Sequence, residues 1–345
     1  MRNVILTLLG WLCMGCPNVF ADSMQQLQVA DVDLDVRLDD RLEIGDGGHP
    51  WRAWLRTSLL ATHTVTGDFP LDRIRIDLKA TSRADGSIAF GQVRRSTPPR
   101  IRFYVTPDAR LEDLNADWRG YHEFAHLLIP FPGNDDIWFT EGFASYYQYL
   151  LQSRAGIVSQ REAWQNLLDG FRRGLEDRSG RGRTLRSLSP DMWRERAFRR
   201  VYWTGAAFFL RVDTRLRTET GGAHSLDSAL AAFHECCMFE RRRWSAERLI
   251  QRLGELSVPE IWREEYARMI DARAKPEFAA AFERLGLSPT RPGLRFSDDP
   301  AARSLRRAIA GPRHEVMLAG SSPADARRSG AGPNERRYTE VPDSP

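Results

Sequence analysis

Apolar and polar residues alternate through the first well-patterned stretch of the chain. From Met24 to about Leu42, and most clearly over Leu27-Gln-Val-Ala-Asp-Val-Asp-Leu-Asp-Val-Arg-Leu38, nearly every second position is apolar, the period of strands with one buried face. At Pro50 the period changes: Trp51, Trp54, Leu55 and Leu59 fall three or four apart, which predicts a helix to about His63, broken by Gly67-Asp-Phe-Pro70. Three more strand-like runs follow, Ile74 to Ala80, Ile88 to Val93 and Ile101 to Val105. Beyond them Leu111, Leu114, Trp118, Tyr121, Ala125 and Leu128 form one stripe of a predicted helix that Pro130 and Pro132 end. A second helix is predicted over about Thr140 to Gln152, and helical spacing continues to Leu285. Ser225, Ser245 and Ser257 stand where N-caps are wanted, Glu260 completes a capping box with Ser257, and Gly221 and Gly286 mark helix ends. Strands first and helices after predict an α+β fold.

The two ends read differently. Arg2, the apolar run from Val4 to about Gly15 and the small-residue pattern Val19-Phe20-Ala21 before Asp22 have the form of a secretory signal over residues 1–21. A membrane anchor needs about 20 apolar residues, more than this run holds. A lipoprotein signal ending at Cys16 is the other alternative, with Cys13 and Met14 poor residues before it. The expectation is an exported protein, periplasmic or secreted, without stable membrane insertion after cleavage. From Ser288 onward Pro, Gly, Ser, Ala and Arg dominate, which predicts a disordered tail over 288–345.

Charge narrows the partners. The 345 residues carry a formal net charge of +4, and the only lysines are Lys79 and Lys275. Apart from Arg241 to Arg243 the arginines are interleaved with acids, which argues against a nucleic-acid partner. Outside the signal the cysteines are the adjacent pair Cys236-Cys237, too few for a disulfide framework. A bond between neighbours is strained, so the pair is expected to pack as small hydrophobes or to oxidise to a partner. With His234 the pair suggests a second metal cluster, but no further ligand follows at a suitable spacing.

The sharpest chemical signal is His122-Glu123-Phe124-Ala125-His126. Four residues is close to one helical turn, so both imidazoles leave the same face and can meet on one metal ion. Two neutral imidazoles and a carboxylate suit Zn2+, with one position open to water. Glu123 is badly angled to be a ligand but near enough to take a proton from such a water, the role of a general base. The bland alternative is a pair of helix-face histidines in ordinary hydrogen bonds. For the third ligand, Glu141 lies early in an apolar helix, where an acid is costly to bury without a cation. Asp135 and Asp136 are rival ligands, although Gly133-Asn-Asp-Asp136 reads as an exposed turn.

Tyr121-His-Glu-Phe-Ala-His126 followed by Ile137-Trp-Phe-Thr-Glu-Gly-Phe-Ala-Ser-Tyr-Tyr147 resembles the catalytic core of the glycyl aminopeptidase family of gluzincin metallopeptidases. Val201-Tyr-Trp-Thr-Gly-Ala206, Arg217 to Gly222 and Ser225 to Ala229 are also similar to that family. The resemblance implies a thermolysin-like zincin domain with one zinc on His122, His126 and Glu141, Glu123 as base and Tyr202 donating to the oxyanion. Apart from the resemblance, Tyr202 also reads as an amphipathic core residue beside Trp203. The strand Gly86 to Gly91 would correspond to the edge along which substrate backbone is laid. The sequence departs from the family in four ways. Only 14 residues separate His126 from Glu141, Thr204 stands where a lysine is often found, and Gly86 to Gly91 holds no acid for a substrate amine. The tail is too short and polar for the family's PDZ module.

The expected organisation is therefore a signal (1–21), an N-terminal β-rich segment (22–70), a zincin catalytic domain (71–287) and a disordered tail. The expected function is zinc-dependent hydrolysis of a peptide or protein substrate, with an aminopeptidase as the finer reading. The rival is an inactive zincin-fold protein that binds peptides or wall material. No oligomeric state follows from the sequence.

Overall fold

The computed structural model describes residues 23–42, 50–82, 86–291 and 293–313. The expected signal over 1–21, and the expected tail beyond 313, lie outside the described residues.

The strands are β1 (Ser23–Val29), β2 (Val32–Leu38), β3 (Arg73–Ala80), β4 (Ile88–Arg94) and β5 (Arg100–Val105). They form one sheet in the order β1-β2-β3-β5-β4, with β2, β3 and β5 parallel and β1 and β4 antiparallel to their neighbours. The predicted alternation is realised in the register: Leu34 pairs with Ile74 and Ile76 with Ile101, all four fully buried. Because β2 pairs directly with β3, the sheet runs across the division expected at residue 70, and the N-terminal β-rich segment is not separate. The parallel β2–β3 connection is made by α1 (Pro50–His63), as parallel neighbours require a crossover. Its Trp54 meets Phe103 of β5 edge-on at 4.9 Å.

The helix predicted from Leu111 is two helices, α2 (Leu111–Ala116) and α3 (Arg119–Ala125), the second continued by one 3-10 turn over His126–Leu128. Asp117 between them is extended, and its carboxylate accepts the Arg119 N–H at 3.0 Å and pairs with the Arg119 guanidinium at 2.8 Å. A local side-chain bond of this kind competes with helix continuation, and a stripe of apolar residues does not register it.

Eight longer or shorter helices come next: α4 (Ile137–Arg154), α5 (Gln160–Glu176), α6 (Leu185–Leu188), α7 (Met192–Glu195), α8 (Phe198–Glu219), α9 (Leu226–Cys236), α10 (Ala246–Glu255) and α11 (Pro259–Ile270). Ser225 and Ser245 cap α9 and α10 as expected. Ser257 does not cap α11, which begins at Pro259 after Val258. The Ser257 hydroxyl instead donates to the Leu253 carbonyl and accepts from Trp262 Nε1. Gly221 and Gly286 take φ of 60° and 61°, the left-handed turn that ends a helix. Every residue of α4 other than Glu141 is buried, so α4 is the central rod of the helical region.

The disorder expected from Ser288 is corrected as far as Arg313. After α12 (Ala279–Arg284), β6 (Leu287–Pro289) and β7 (Leu294–Phe296) form a two-stranded hairpin and α13 (Pro300–Ala310) packs near α4 and α5. Asp299 caps α13 and Ala302, Ile309 and Ala310 are buried. Buried Arg306 donates to the carbonyls of Leu285 and Ser297. Few apolar residues suffice here because they join a core that already exists, which average composition does not reveal.

The neighbouring cysteines are also corrected. Cys236 and Cys237 are disulfide-bonded to each other where α9 ends, with Cys237 buried and the Arg252 guanidinium against both sulfurs. His234 Nε2 hydrogen-bonds the Leu128 carbonyl at 2.7 Å, so these residues make no second metal cluster. Among the described residues no helix is long and apolar enough to cross a membrane.

Candidate metal centre

Three elements build the centre. His122 and Glu123 belong to α3, His126 opens the 3-10 turn that follows, and Glu141 stands in the first turns of α4, whose contact with α3 is extensive. His122 Nε2 and His126 Nε2 lie 3.3 and 3.7 Å from Glu141 Oε2. The ligand atoms of these three residues all fall within 4.8 Å of one another. Ligands about 2.0–2.2 Å from a tetrahedral zinc are about 3.3 Å from each other, so the spacing fits that ion.

The outer nitrogens support the same assignment. His122 Nδ1 faces Gln148 Oε1 at 2.9 Å and His126 Nδ1 faces Thr140 Oγ1 at 3.0 Å. When His122 is neutral and donates Nδ1–H to the Gln148 oxygen, its bare Nε2 faces a carboxylate oxygen at 3.3 Å and a cation fits between them; against desolvation, Glu141 also raises the His122 pKa, so a proton can take that place. Burial, partly offset by Glu141, pushes His126 down to about 3, which keeps it in the neutral form that ligates metal. At Glu141 burial would raise the pKa, but His126 and His122 outweigh it and hold the carboxylate ionised.

Glu123 is buried beneath the edge of the sheet, and burial pushes its pKa up to about 7. The nearby Val93 backbone N–H of β4 works against that rise. A Cβ at Gly91 would stand 2.6 Å from Glu123 Cγ, so only glycine lets β4 pass this close. β4 is an edge strand of the five-stranded sheet, as the Gly86 to Gly91 reading required.

Tyr202 reaches the same centre from α8. Its ring stacks over His122 with 6.3 Å between ring centres, and burial together with the nearby Glu141 carboxylate raises its phenol pKa. Two glycines set this approach. A Cβ on Gly142 would lie 2.4 Å from Gly205 backbone, and one on Gly205 would lie 2.3 Å from the Trp138 carbonyl oxygen. The backbones of α4 and α8 therefore touch, bringing Tyr202, about one turn before Gly205, over Glu141, the neighbour of Gly142.

The rival ligands are elsewhere. Asp135 and Asp136 belong to a 3-10 turn, Asn134–Asp136, and Asp136 accepts the Ala246 N–H at 2.8 Å. The short connection closes because the 3-10 turn after α3, Gly133 at φ 99° and this second turn lead straight into α4.

Sequence reasoning missed Gln148 and Thr140, which aim the imidazoles, and the two glycines at the α4–α8 contact. Their signals were present as a buried amide two turns after Glu141 and as glycines inside two apolar helices. It also missed Arg95, just past β4, whose guanidinium donates to the carbonyls of His126 (2.9 Å) and Ile129 (3.2 Å). Although the side chain as a whole is exposed, its charged end is drawn into the cleft. There desolvation pulls its pKa down to about 10 against the attraction of Glu141 and Glu123.

The profile of the M61 glycyl aminopeptidases matches residues 132–206, from the turn before α4 to just past Gly205. No curated protein matches the chain. An aminopeptidase N family protein from Idiomarina loihiensis is similar in structure, with a TM-score of 0.59 at 15% identity over 77% of this chain and 49% of that one. An M1 zinc metallopeptidase from Deinococcus radiodurans aligns at 16% identity and a TM-score of 0.46, covering 74% of this chain and 52% of its own. The chain thus spans about half the length of these structures. The first likeness establishes the mixed α+β fold. The His122–His126–Glu141 centre belongs to the class of sites whose ligands can hold one zinc ion. Within that class the chain resembles the glycyl aminopeptidases, over a segment that holds both Glu141 and Tyr202.

Proposed function

We propose that the chain is an exported zinc peptidase that hydrolyses peptide bonds by the attack of water at the His122–His126–Glu141 centre. Zinc, when bound, supplies Lewis acidity to the attacking water and to the scissile carbonyl. Glu123 takes the proton of the water and passes it to the leaving amine. A carboxylate whose pKa is raised toward neutrality can both accept and release that proton. The absence of a side chain at Gly91 lets β4 lie against Glu123, with the Val93 N–H near its carboxylate. Tyr202, whose phenol lies near Glu141, donates its O–H to the oxygen that becomes negative in the tetrahedral transition state. The unpaired edge of β4 carries the substrate backbone by strand addition, the finer, thermolysin-like part of the reading. Export rests on residues 1–21, and N-terminal sequencing of the secreted chain is expected to begin at Asp22.

The observation that carries the proposal is the three-ligand cluster with a second buried carboxylate, Glu123, beside it. Purified protein is expected to hold close to one zinc per chain, lost in Glu141→Ala. Glu123→Gln is expected to keep the metal while chelator-sensitive peptide hydrolysis falls by about 10²- to 10⁴-fold. Retention of most hydrolysis by Glu123→Gln would overturn the assigned base, and absence of any chelator-sensitive cleavage in the native chain would favour the binding-protein reading.

A further inference from the structure

We infer that Arg95 makes the cleft selective for substrates that carry a carboxylate close to the bond being cut, and adverse to a free α-ammonium group there; this rests on the peptidase reading above. Gly91 and Val93, two residues apart, share one face of β4, and Arg95 follows just past the end of the strand. Gly91 lies against Glu123, the Val93 N–H is near the Glu123 carboxylate, and the Arg95 guanidinium reaches the carbonyl of His126 itself. Three positions along one stretch of chain thus border the centre, and the last is a cation.

That cation is available. A guanidinium has five N–H donors in a planar fork. Nη2 donates to the His126 carbonyl and Nη1 to the Ile129 carbonyl, which leaves three of the five N–H donors without a hydrogen bond among the described residues. The fork geometry suits a carboxylate better than any other common peptide group. Exposed Phe131, with its ring centre 5.9 Å from the guanidinium, offers an apolar surface to the stem of the same residue. A strand laid on β4 must pass this pair, because no strand lies beyond β4 in the sheet. The segment 86–94 has no acid that would hold an amine instead. The carboxylate can belong to an Asp or Glu side chain or to a chain terminus, since both present the same two oxygens.

The test uses zinc-loaded Glu123→Gln protein, so that peptides bind without being consumed, and fluorescence anisotropy with matched labelled peptides. One peptide is acetylated and amidated with a single Glu, one has Gln in its place, one has Gln and a free C-terminal carboxylate, and one has Gln and a free amino terminus. At least one of the two carboxylate peptides is expected to bind about 10- to 100-fold tighter than the blocked Gln peptide, and which one identifies the source. The free-amine peptide is expected to bind no tighter than the blocked one. Adding Arg95→Gln should bring the carboxylate ratio close to one with little change for the blocked Gln peptide, and Arg95→Lys should retain part of it. A ratio near one with Arg95 present, a ratio that survives Arg95→Gln, or an equal weakening of all four peptides would overturn the inference. The last would show that Arg95 only holds the His126 carbonyl. If the ratio is found but the native chain cleaves none of these peptides, the peptidase reading fails and the carboxylate site stands.

Discussion

The helix α4 joins two buried clusters of charge that are built on opposite principles. Toward its C-terminal end, Tyr146, Tyr147 and Arg154 meet Asp213 and Arg217 of α8 and Asp227 of α9. Arg154 and Arg217 both bind Asp227, at 2.8 and 3.0 Å, and Arg217 also binds Asp213 at 2.9 Å. The two tyrosine hydroxyls donate to the same two aspartates at 2.8 Å. Two arginines and two aspartates leave no net charge, and burial, which alone would raise the Asp227 pKa, is outweighed by Arg154 and Arg217. Near the N-terminal end of the same helix, Glu141 faces two imidazoles whose outer nitrogens are already engaged, and Glu123 lies close by. No arginine or lysine pairs with Glu141 there among the described residues. The first cluster is internally complete and fastens α4, α8 and α9 together; the second is held rigid but short of positive charge. A buried set of ligands that lacks only a cation is a binding site, whereas one that already contains its cations is a structural clasp.

The contrast is most severely tested by removing one carboxylate from each cluster. Asp227→Ala leaves two arginines facing a gap, and an uncompensated buried charge costs about 3–5 kcal/mol. Urea unfolding should show that loss, and a change below about 1 kcal/mol would mean the clasp contributes little. Glu141→Gln should behave in the opposite way in chelated protein, changing stability by less than about 1 kcal/mol or raising it. Free zinc at 100 to 1,000 times its dissociation constant should stabilise the native chain by about 3–4 kcal/mol and Glu141→Gln far less, measured by thermal unfolding with and without the metal. Equal stabilisation of both would remove Glu141 from the ligand set.

A smaller effect belongs to Gln148. Gln148→Leu should weaken zinc binding about 10- to 100-fold, because the His122 ring loses the acceptor that orients it, while the chelated protein stays close to native stability. Competition with a chromogenic chelator would measure this. The smallest effect is expected from acid. The Asp227 pKa is lowered in the folded chain, so its contribution is present above the ordinary carboxylate pKa and is lost as pH falls through the folded value. The slope attributable to one such group is about 1.4 kcal/mol per pH unit at most, and Asp227→Asn should flatten that part of the stability profile.

The centre was legible in the sequence where its geometry is local. His122 and His126 are one turn apart whatever surrounds them, and an acid in the otherwise apolar start of α4 announces a buried carboxylate that needs a partner. The strands were legible for the same reason, since alternation is a local property. Legibility failed at Asp117, where one side-chain bond ends α2 without disturbing the apolar stripe. It failed again after Ser288, where β6, β7 and α13 are ordered by a core made elsewhere. The Cys236–Cys237 bond was missed because it depends on the backbone leaving helical geometry at Cys237.

By itself, then, the sequence determined the kinds of element, their order and the residues able to bind a metal, because each follows from spacing along one segment. Only the tertiary structure decided that Gly91 lets an edge strand lie over Glu123, and that Gly142 and Gly205 let α4 and α8 touch so that Tyr202 meets Glu141. It also decided that Arg95 closes on the His126 carbonyl. These contacts join residues far apart in the chain, and their energies depend on distances of a few ångströms that no local pattern encodes.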